Sequence, residues 1–395
     1  MGIGIKWAAT PRRNALGLLA VGTLIVVGLG ATWSVQLAAG GVRKPYLQND
    51  RAGEVSLLWS DPAASSATVE YRPAGSSHIK FVTAQSDGGS FRVRLKGLAH
   101  GSLQEYRVTE SGSKAGPWVR FRSDDTDARS VRFAVFGDMG SGDAAEASIA
   151  KLLDRLAPDF AIAVGDLAYP KATPELLTRK FFNPLASYNS GHVVWPVWGN
   201  HDVAADQGRP LELATELPLQ SADSSVGPHT YSFDRGPVHF TVLDSNSAAA
   251  VLRGQVEPWL RRDLAGAGDR WKLVFLHHPV FSSGHHGGAK RVVDVLKPVF
   301  EECGVSAVFS GHDHQYERFA PVKGVTYVVT GAGGGELETV VHPQPGSVSR
   351  NSSQHSVTIV TATRGALEIR QVATGGAQLD LVRVVRPESK ASGPP

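Results

Sequence analysis

Cysteine is almost missing from this chain: Cys303 is the single one among 395 residues. No intrachain disulfide is possible, so the stability of the fold has to come from packing and hydrogen bonds. The thiol closes an apolar-periodic stretch, Val292–Cys303, that ends at Gly304, where it reads as a small core residue. Net charge is also scarce. The formal total is +3, and residues 1–42 contribute Lys6, Arg12 and Arg13 with no acid, leaving the remainder balanced. That removes any whole-chain electrostatic case for binding a nucleic-acid polymer or an acidic membrane. No internal repeat is present. The glycine-rich run Gly331–Gly335 has no P-loop lysine after it, so it reads as a turn rather than a nucleotide cradle. What remains is the composition of an ordinary globular protein, 42% hydrophobic and 19% charged, long enough for two domains.

The three N-terminal cations precede an uncharged segment, Ala15 through Gly41, rich in Leu, Val, Ala and Gly. It exceeds the ~20 apolar residues needed to cross a bilayer and the ~7–15 of a secretory signal core. Arg12-Arg13 sits in a weak context for a twin-arginine signal, and Ala38-Ala39-Gly40 offers no clean cleavage pattern. The expectation for residues 1–42 is a signal sequence or, by preference, an uncleaved anchor. The cations stay inside and the bulk of the chain is exported, either tethered facing outward or secreted.

Residues 43–125 carry short β-rich runs: Val55–Trp59, Ala67–Tyr71, Phe91–Leu98, Tyr106–Glu110 and Trp118–Arg122. Gly, Ser, Asp and Pro clusters separate them, which predicts an all-β sandwich. Nothing in this module has catalytic spacing. Ser123–Ser130 is a polar linker. From Val131 to residue 386, strands alternate with helices over Asp143–Leu156, Glu175–Phe182, Gln255–Leu264 and Ala289–Cys303, the last with a kink expected at Pro298. The pattern predicts a layered α/β domain. It closes in an antiparallel meander over Val357–Ala362, Ala366–Val372 and Leu379–Val385. Glu336–Gln354 reads as a loop and residues 387–395 as a disordered tail.

Five short pieces stand at or just after strands of this second domain. They are Gly137-Asp138-Met139-Gly140, Gly165-Asp166-Leu167-Ala168-Tyr169, Gly199-Asn200-His201-Asp202, His277-His278-Pro279 and Gly311-His312-Asp313-His314. Any one alone is an ordinary turn with a capping Asp or Asn. Loops at the carboxyl ends of strands in an α/β sheet converge on one crevice, however, and five ordered pieces exceed chance. Two Asp, one Tyr, one Asn and three His suit two ions sharing one carboxylate. That arrangement clamps the attacking and leaving oxygens of displacement at phosphorus.

With these motifs the sequence resembles the calcineurin-like metallophosphoesterases, and within them the purple acid phosphatases, over roughly residues 44–335. The resemblance implies a four-layer αββα catalytic domain. Arg43-Lys44-Pro45-Tyr46-Leu47-Gln48 and Leu98–Val108 resemble the fibronectin-type-III-like N-terminal domain of that family, although His100 and Gln104 depart from its pattern. Most of the superfamily has a ligand histidine where Gly140 stands; Tyr169, three residues after Asp166, offsets it. Tyrosinate is a hard anionic donor that favours a trivalent ion. By resemblance, Asp138, Tyr169 and His314 hold Fe(III), and Asn200, His277 and His312 hold a divalent ion (Zn, Fe or Mn). Asp166 bridges them, and Pro279 selects His277 over His278.

His201, His285 and His286 are then free to hold phosphate oxygens and protonate the leaving alkoxide. Asp202 is expected to orient His201 or the local turn. Tyr316-Glu317-Arg318 is expected to support the ligands, and His239 to be structural. The function expected is hydrolysis of phosphate monoesters by metal-activated hydroxide, acting as an acid phosphatase. A phosphodiesterase on the same scaffold is one alternative. A non-catalytic adhesion protein using the β-sandwich is another.

Overall fold

The computed structural model describes residues 40–51, 53–218, 226–339 and 341–386. The expected N-terminal anchor and C-terminal tail fall almost wholly outside these. Among the described residues, no helix is long and apolar enough to cross a membrane.

Seven strands form the N-terminal part: β1 (Arg43–Arg51), β2 (Glu54–Ser60), β3 (Ser66–Pro73), β4 (Lys80–Gln85), β5 (Ser90–Lys96), β6 (Leu103–Glu110) and β7 (Val119–Arg122). They make two antiparallel sheets, ordered β1-β2-β5 and β4-β3-β6-β7. β2 shows why they pair face to face. Val55, Leu57 and Trp59 alternate toward the sandwich core, and Trp59 stacks on Phe91 of β5 at 4.8 Å. The architecture is compatible with a fibronectin-type-III-like module. Strands β1 and β4 were not anticipated, because β1 is rich in polar residues and β4 is mostly exposed.

The second part contains β8 (Ser130–Phe136), β9 (Phe160–Ala163), β10 (Val194–Pro196), β11 (Tyr231–Arg235), β12 (Val238–Val242), β13 (Trp271–Phe275), β14 (Ala307–Ser310), β15 (Tyr316–Phe319), β16 (Thr326–Thr330), β17 (Ser347–Asn351), β18 (Ser356–Thr363), β19 (Ala366–Ala373) and β20 (Gln378–Val385). One sheet runs β10-β9-β8-β18-β19-β20, and the other β11-β12-β13-β14-β16-β15-β17. The pairs β8–β9–β10 and β12–β13–β14–β16 are parallel. The closing meander β18–β20 is antiparallel, as expected. The two sheets face each other through aromatic rings: Phe133 and Phe160 of the first meet Phe240 of the second edge-on at 5.1 and 5.4 Å.

Alternation fixes the layers. Leu273 and Phe275 of β13 join the inter-sheet core, while Val274 joins a second cluster on the other face. There it meets Val292, Val295, Leu296, Val299 and Phe300 of helix α2 (Lys290–Glu302). Helix α1 (Ala144–Leu156) begins at Asp143, whose carboxylate accepts the N–H groups of Ala145 and Glu146.

One expectation needs correction. Glu336–Gln354 is not all loop: β17 pairs with the edge of β15 there. Its Ser-Val-Ser-Arg-Asn sequence is partly exposed throughout and so carries no hydrophobic signal. Tyr316–Arg318, expected to support the ligands, lies on β15.

The two parts share a polar seam. The Tyr46 hydroxyl donates to Ala214 O at 2.7 Å, Gln48 Nε2 to Val194 O at 3.0 Å, and the Tyr106 hydroxyl to Ser190 O at 3.0 Å. Arg235 bridges buried Asp50 and Asp124.

Candidate metal centre

All five loops leave the carboxyl ends of parallel strands, three on one sheet (β8, β9, β10) and two on the other (β13, β14). The site therefore sits where the edges of the two sheets meet. At three loops the turn is made by the functional residue itself: Asp138, Asp166 and His312 have φ of 59°, 54° and 75°. These left-handed conformations are uncommon for non-glycine residues and aim the side chain back across the strand end. Close approach sets the neighbouring glycines. A Cβ on Gly311 would stand 2.4 Å from Asp138 Oδ2, and one on Gly140 would stand 2.3 Å from Leu167 O and Ala168 Cα. No side chain fits at Gly140, so no histidine could occupy that position without moving the adjacent loop.

The donors form two sets. In the first, the Tyr169 hydroxyl lies 2.9 Å from His314 Nε2 and 3.2 Å from Asp138 Oδ1, with His314 Nε2 3.7 Å from the same carboxylate oxygen. In the second, His277 Nε2 lies 3.0 Å from Asn200 Oδ1 and 3.2 Å from His312 Nδ1. Asp166 Oδ2 stands 3.4 Å from His277 Nε2. Asp166, His277 and His312 present donor atoms all within 4.8 Å of one another. The other nitrogen of His277 is held by Val164 O at 2.9 Å, and that of His314 by Glu336 O at 2.7 Å. These carbonyls fix the tautomers and leave each Nε2 facing inward. His278 turns away, its Nδ1 2.9 Å from Ser245 Oγ, which puts His277 and not His278 in the cluster.

The electrostatics suit cations. Burial pushes Asp138 up to about 7; His277 and His314 oppose the rise and Asp166 adds to it. Asp166 is also desolvated, but the His277 charge and hydrogen bond hold it well below the usual carboxylate range. Burial opposes charge on His277 too, yet Asp166 raises it to about 10. The Tyr169 phenol is pushed far up, first by burial and then by the Asp138 and Asp166 charges. Negative charge around a buried phenol is the reverse of what a phenolate ligand needs on its own, and a bound cation inverts that logic. Oxygen and imidazole donors converging from seven residues fit two metal ions.

Asp202 serves the turn and not His201. Its carboxylate, fully buried, accepts the backbone N–H groups of Asp166 at 2.8 Å, Leu167 at 3.0 Å and Gly199 at 2.8 Å, tying two of the loops together. His201 is half-exposed at the rim. Its Nδ1 donates to Pro170 O at 2.7 Å, leaving Nε2 3.9 Å from Asp166 Oδ2. His286 stacks on His312 at 4.2 Å, and His285 lines a cleft with His314 and Glu336–Thr339. The loop carrying these two histidines hangs on Glu317, which sequence reasoning placed only as general support. That buried carboxylate accepts from Ser283 N and Oγ, both at 2.7 Å, from Gln315 Nε2 at 3.1 Å and from Ser347 Oγ at 2.5 Å. His239 lies away from the site, between Asp234 and Asp263, and is structural.

Residues 131–316 match the calcineurin-like phosphoesterase family. Tartrate-resistant acid phosphatase type 5 of Oryctolagus cuniculus is 41% identical over 236 residues, covering 51% of this chain and 73% of that protein. The chain belongs to the calcineurin-like phosphoesterases. Within that family its relatives are purple acid phosphatases: purple acid phosphatase 15 of Arabidopsis thaliana is 26% identical over 285 residues. That match covers 61% of this chain and 53% of the plant protein, so the chain spans about half the length of that relative. The solved structure of a purple acid phosphatase from yellow lupin (Lupinus luteus) seeds superposes with a TM-score of 0.76. It covers 87% of this chain and 74% of the lupin chain at 16% identity, which speaks for the fold.

Proposed function

We propose that this chain is a binuclear metallohydrolase that cleaves phosphate monoesters as an acid phosphatase. One observation carries the reading: Asp138, Tyr169 and His314 gather in one donor set and Asn200, His277 and His312 in another with Asp166 beside it, and the histidines at the rim belong to neither. Asp138, Tyr169 and His314 would hold one ion, read as Fe(III), and Asn200, His277 and His312 a divalent one (Zn, Fe or Mn), with Asp166 shared. The ions would supply the positive charge that polarises a phosphate ester and activates water. The chain does the rest. His201 Nε2, turned to the cleft by the Pro170 carbonyl, is placed to bond a phosphate oxygen. His286, stacked on His312, and His285 beside it are placed to bind phosphate and to deliver a proton to the leaving oxygen. The buried carboxylates and tautomer-fixing carbonyls hold these groups rigid, so little reorganisation is needed in the transition state.

The test is a comparison of p-nitrophenyl phosphate with bis-p-nitrophenyl phosphate after loading with iron and zinc. Faster turnover of the monoester supports the reading, and preference for the diester favours a phosphodiesterase. Absence of bound ions and of both activities would favour a non-catalytic surface role. The reading includes export, with residues 1–42 as anchor or signal, supported by Lys6, Arg12 and Arg13 ahead of the apolar run. Protease added to intact cells should then degrade the catalytic domain; protection until lysis would overturn export.

A further inference from the structure

Beside the paired donor sets lies a second convergence of ligand-type side chains. His286, Asp313 and Glu338 present one donor atom each, all within 4.8 Å of one another. They come from three segments: the histidine loop, the turn between His312 and His314, and the stretch after Gly335. Backbone bonds already stitch these segments together. Glu338 N–H donates to His314 O at 3.2 Å, Val341 and His342 N–H both to Ser283 O at 3.0 Å, and His286 N–H to Asp313 Oδ1 at 2.8 Å.

What the three side chains do not do is bond to one another. Asp313 has no solvent exposure, and among the described residues its Oδ2 has no hydrogen-bond partner. Glu338 Oε2 is also buried and, among the described residues, unpartnered. Among the described residues neither carboxylate forms an ion pair with lysine or arginine. A buried carboxylate oxygen without donor or cation is costly. Two such carboxylates with an imidazole, one donor atom of each within 4.8 Å of the others, make a place that a cation would fill. Two carboxylates and a neutral imidazole also balance the charge of a divalent ion, and nitrogen with oxygen donors suits zinc or manganese.

We propose that His286, Asp313 and Glu338 form a third divalent-cation site, separate from the paired centre, that cross-links the histidine loop to the segment around Glu338. On the functional reading above, an ion there draws His286 from the phosphate cleft, which makes the site regulatory; the binding claim itself does not depend on that reading.

The test is zinc binding by the metal-depleted full chain, dialysed against graded free Zn²⁺ and counted by elemental analysis. Wild type should bind three ions per chain, one of them in a distinct class. E338Q should lose that ion or need at least ~10-fold more free zinc for it, while keeping the other two. The added thermal stability from the last ion should vanish with it. H286Q should behave as E338Q does, and H277A should lose ions from the pair yet keep the third. Identical ion counts and midpoints in wild type and E338Q overturn the proposal, whatever H277A shows. A single ion per chain, lost in E338Q and kept in H277A, would uphold this site and overturn the paired centre.

Discussion

The Tyr169 hydroxyl and His314 Nε2 stand 2.9 Å apart, although 145 residues separate them in the chain. Phenolate coordination to Fe(III) gives visible charge-transfer absorption, so iron-loaded protein should be pink to purple. Tyr169→Phe should abolish the band while Asp138, Asp166 and His314 still retain metal. A coloured Tyr169→Phe protein, or colourless wild type containing Fe(III), would sink the assignment of Tyr169 as an iron ligand.

Asp202 hydrogen-bonds to backbone N–H groups rather than to a donor side chain, yet its loss should reach the metal centre. Asp202→Asn replaces one acceptor oxygen with an NH₂ facing backbone N–H groups that already point at it. The expected cost is ~1–3 kcal/mol in denaturant unfolding. Metal affinity should weaken by ~10–100-fold. Unchanged stability and metal content would show that the turn holds itself.

For the rim histidines, His285→Ala and His286→Ala should leave the paired ions bound but lower turnover, at least one by ~10²-fold. The loss should be smaller for p-nitrophenolate, a good leaving group, than for an alkyl phosphate. Equal losses across leaving groups would point to phosphate binding instead of proton delivery.

Glu317→Gln should act on the same loop from below. The amide places a donor against Ser283, which now donates twice to this carboxylate. We expect ~1–3 kcal/mol of destabilisation and reduced turnover with the paired ions intact. Wild-type turnover would show that the loop is held by its other contacts.

His239 gives a pH prediction away from the metals. Burial opposes its charge, but hydrogen bonds to Asp234 and Asp263 outweigh that and raise it to about 9, from 6.5. The folded state therefore holds the proton more tightly than the unfolded chain. This stabilisation is fully present below pH 6.5 and is lost as pH rises through about 9. Because Asp234 is 42% exposed, the contribution is ~1–2 kcal/mol rather than the full linkage value. Unfolding free energies measured across that window should fall in wild type and be flatter by that amount in His239→Gln.

Glycine at four strand ends and a His-His-Pro run at the fifth made the five loops legible, because each follows a buried apolar run. His277 could be chosen over His278 only by resemblance; the Val164 carbonyl that orients it comes from 113 residues away and leaves no local signal. Glu317 and Asp202 are of the same kind, since their importance lies in which backbone N–H groups they receive. β17 escaped because an edge strand exposed on both faces has no hydrophobic alternation to read. Asp313 was visible only as a spacer between two histidines, and Glu338 only as part of a loop.

The His312 backbone N–H donates to both oxygens of Asp138 across 174 residues of chain, at 3.1 and 3.0 Å. A ligand cage closed by so long a loop cannot assemble piecemeal. Asp138, on the first of the five loops, gains this partner only when the loop after β14 has docked. Contacts of such long sequence separation are costly to close early, so added metal is expected to slow unfolding more than it speeds refolding; equal effects on the two rates would show that the cage is already formed at the barrier.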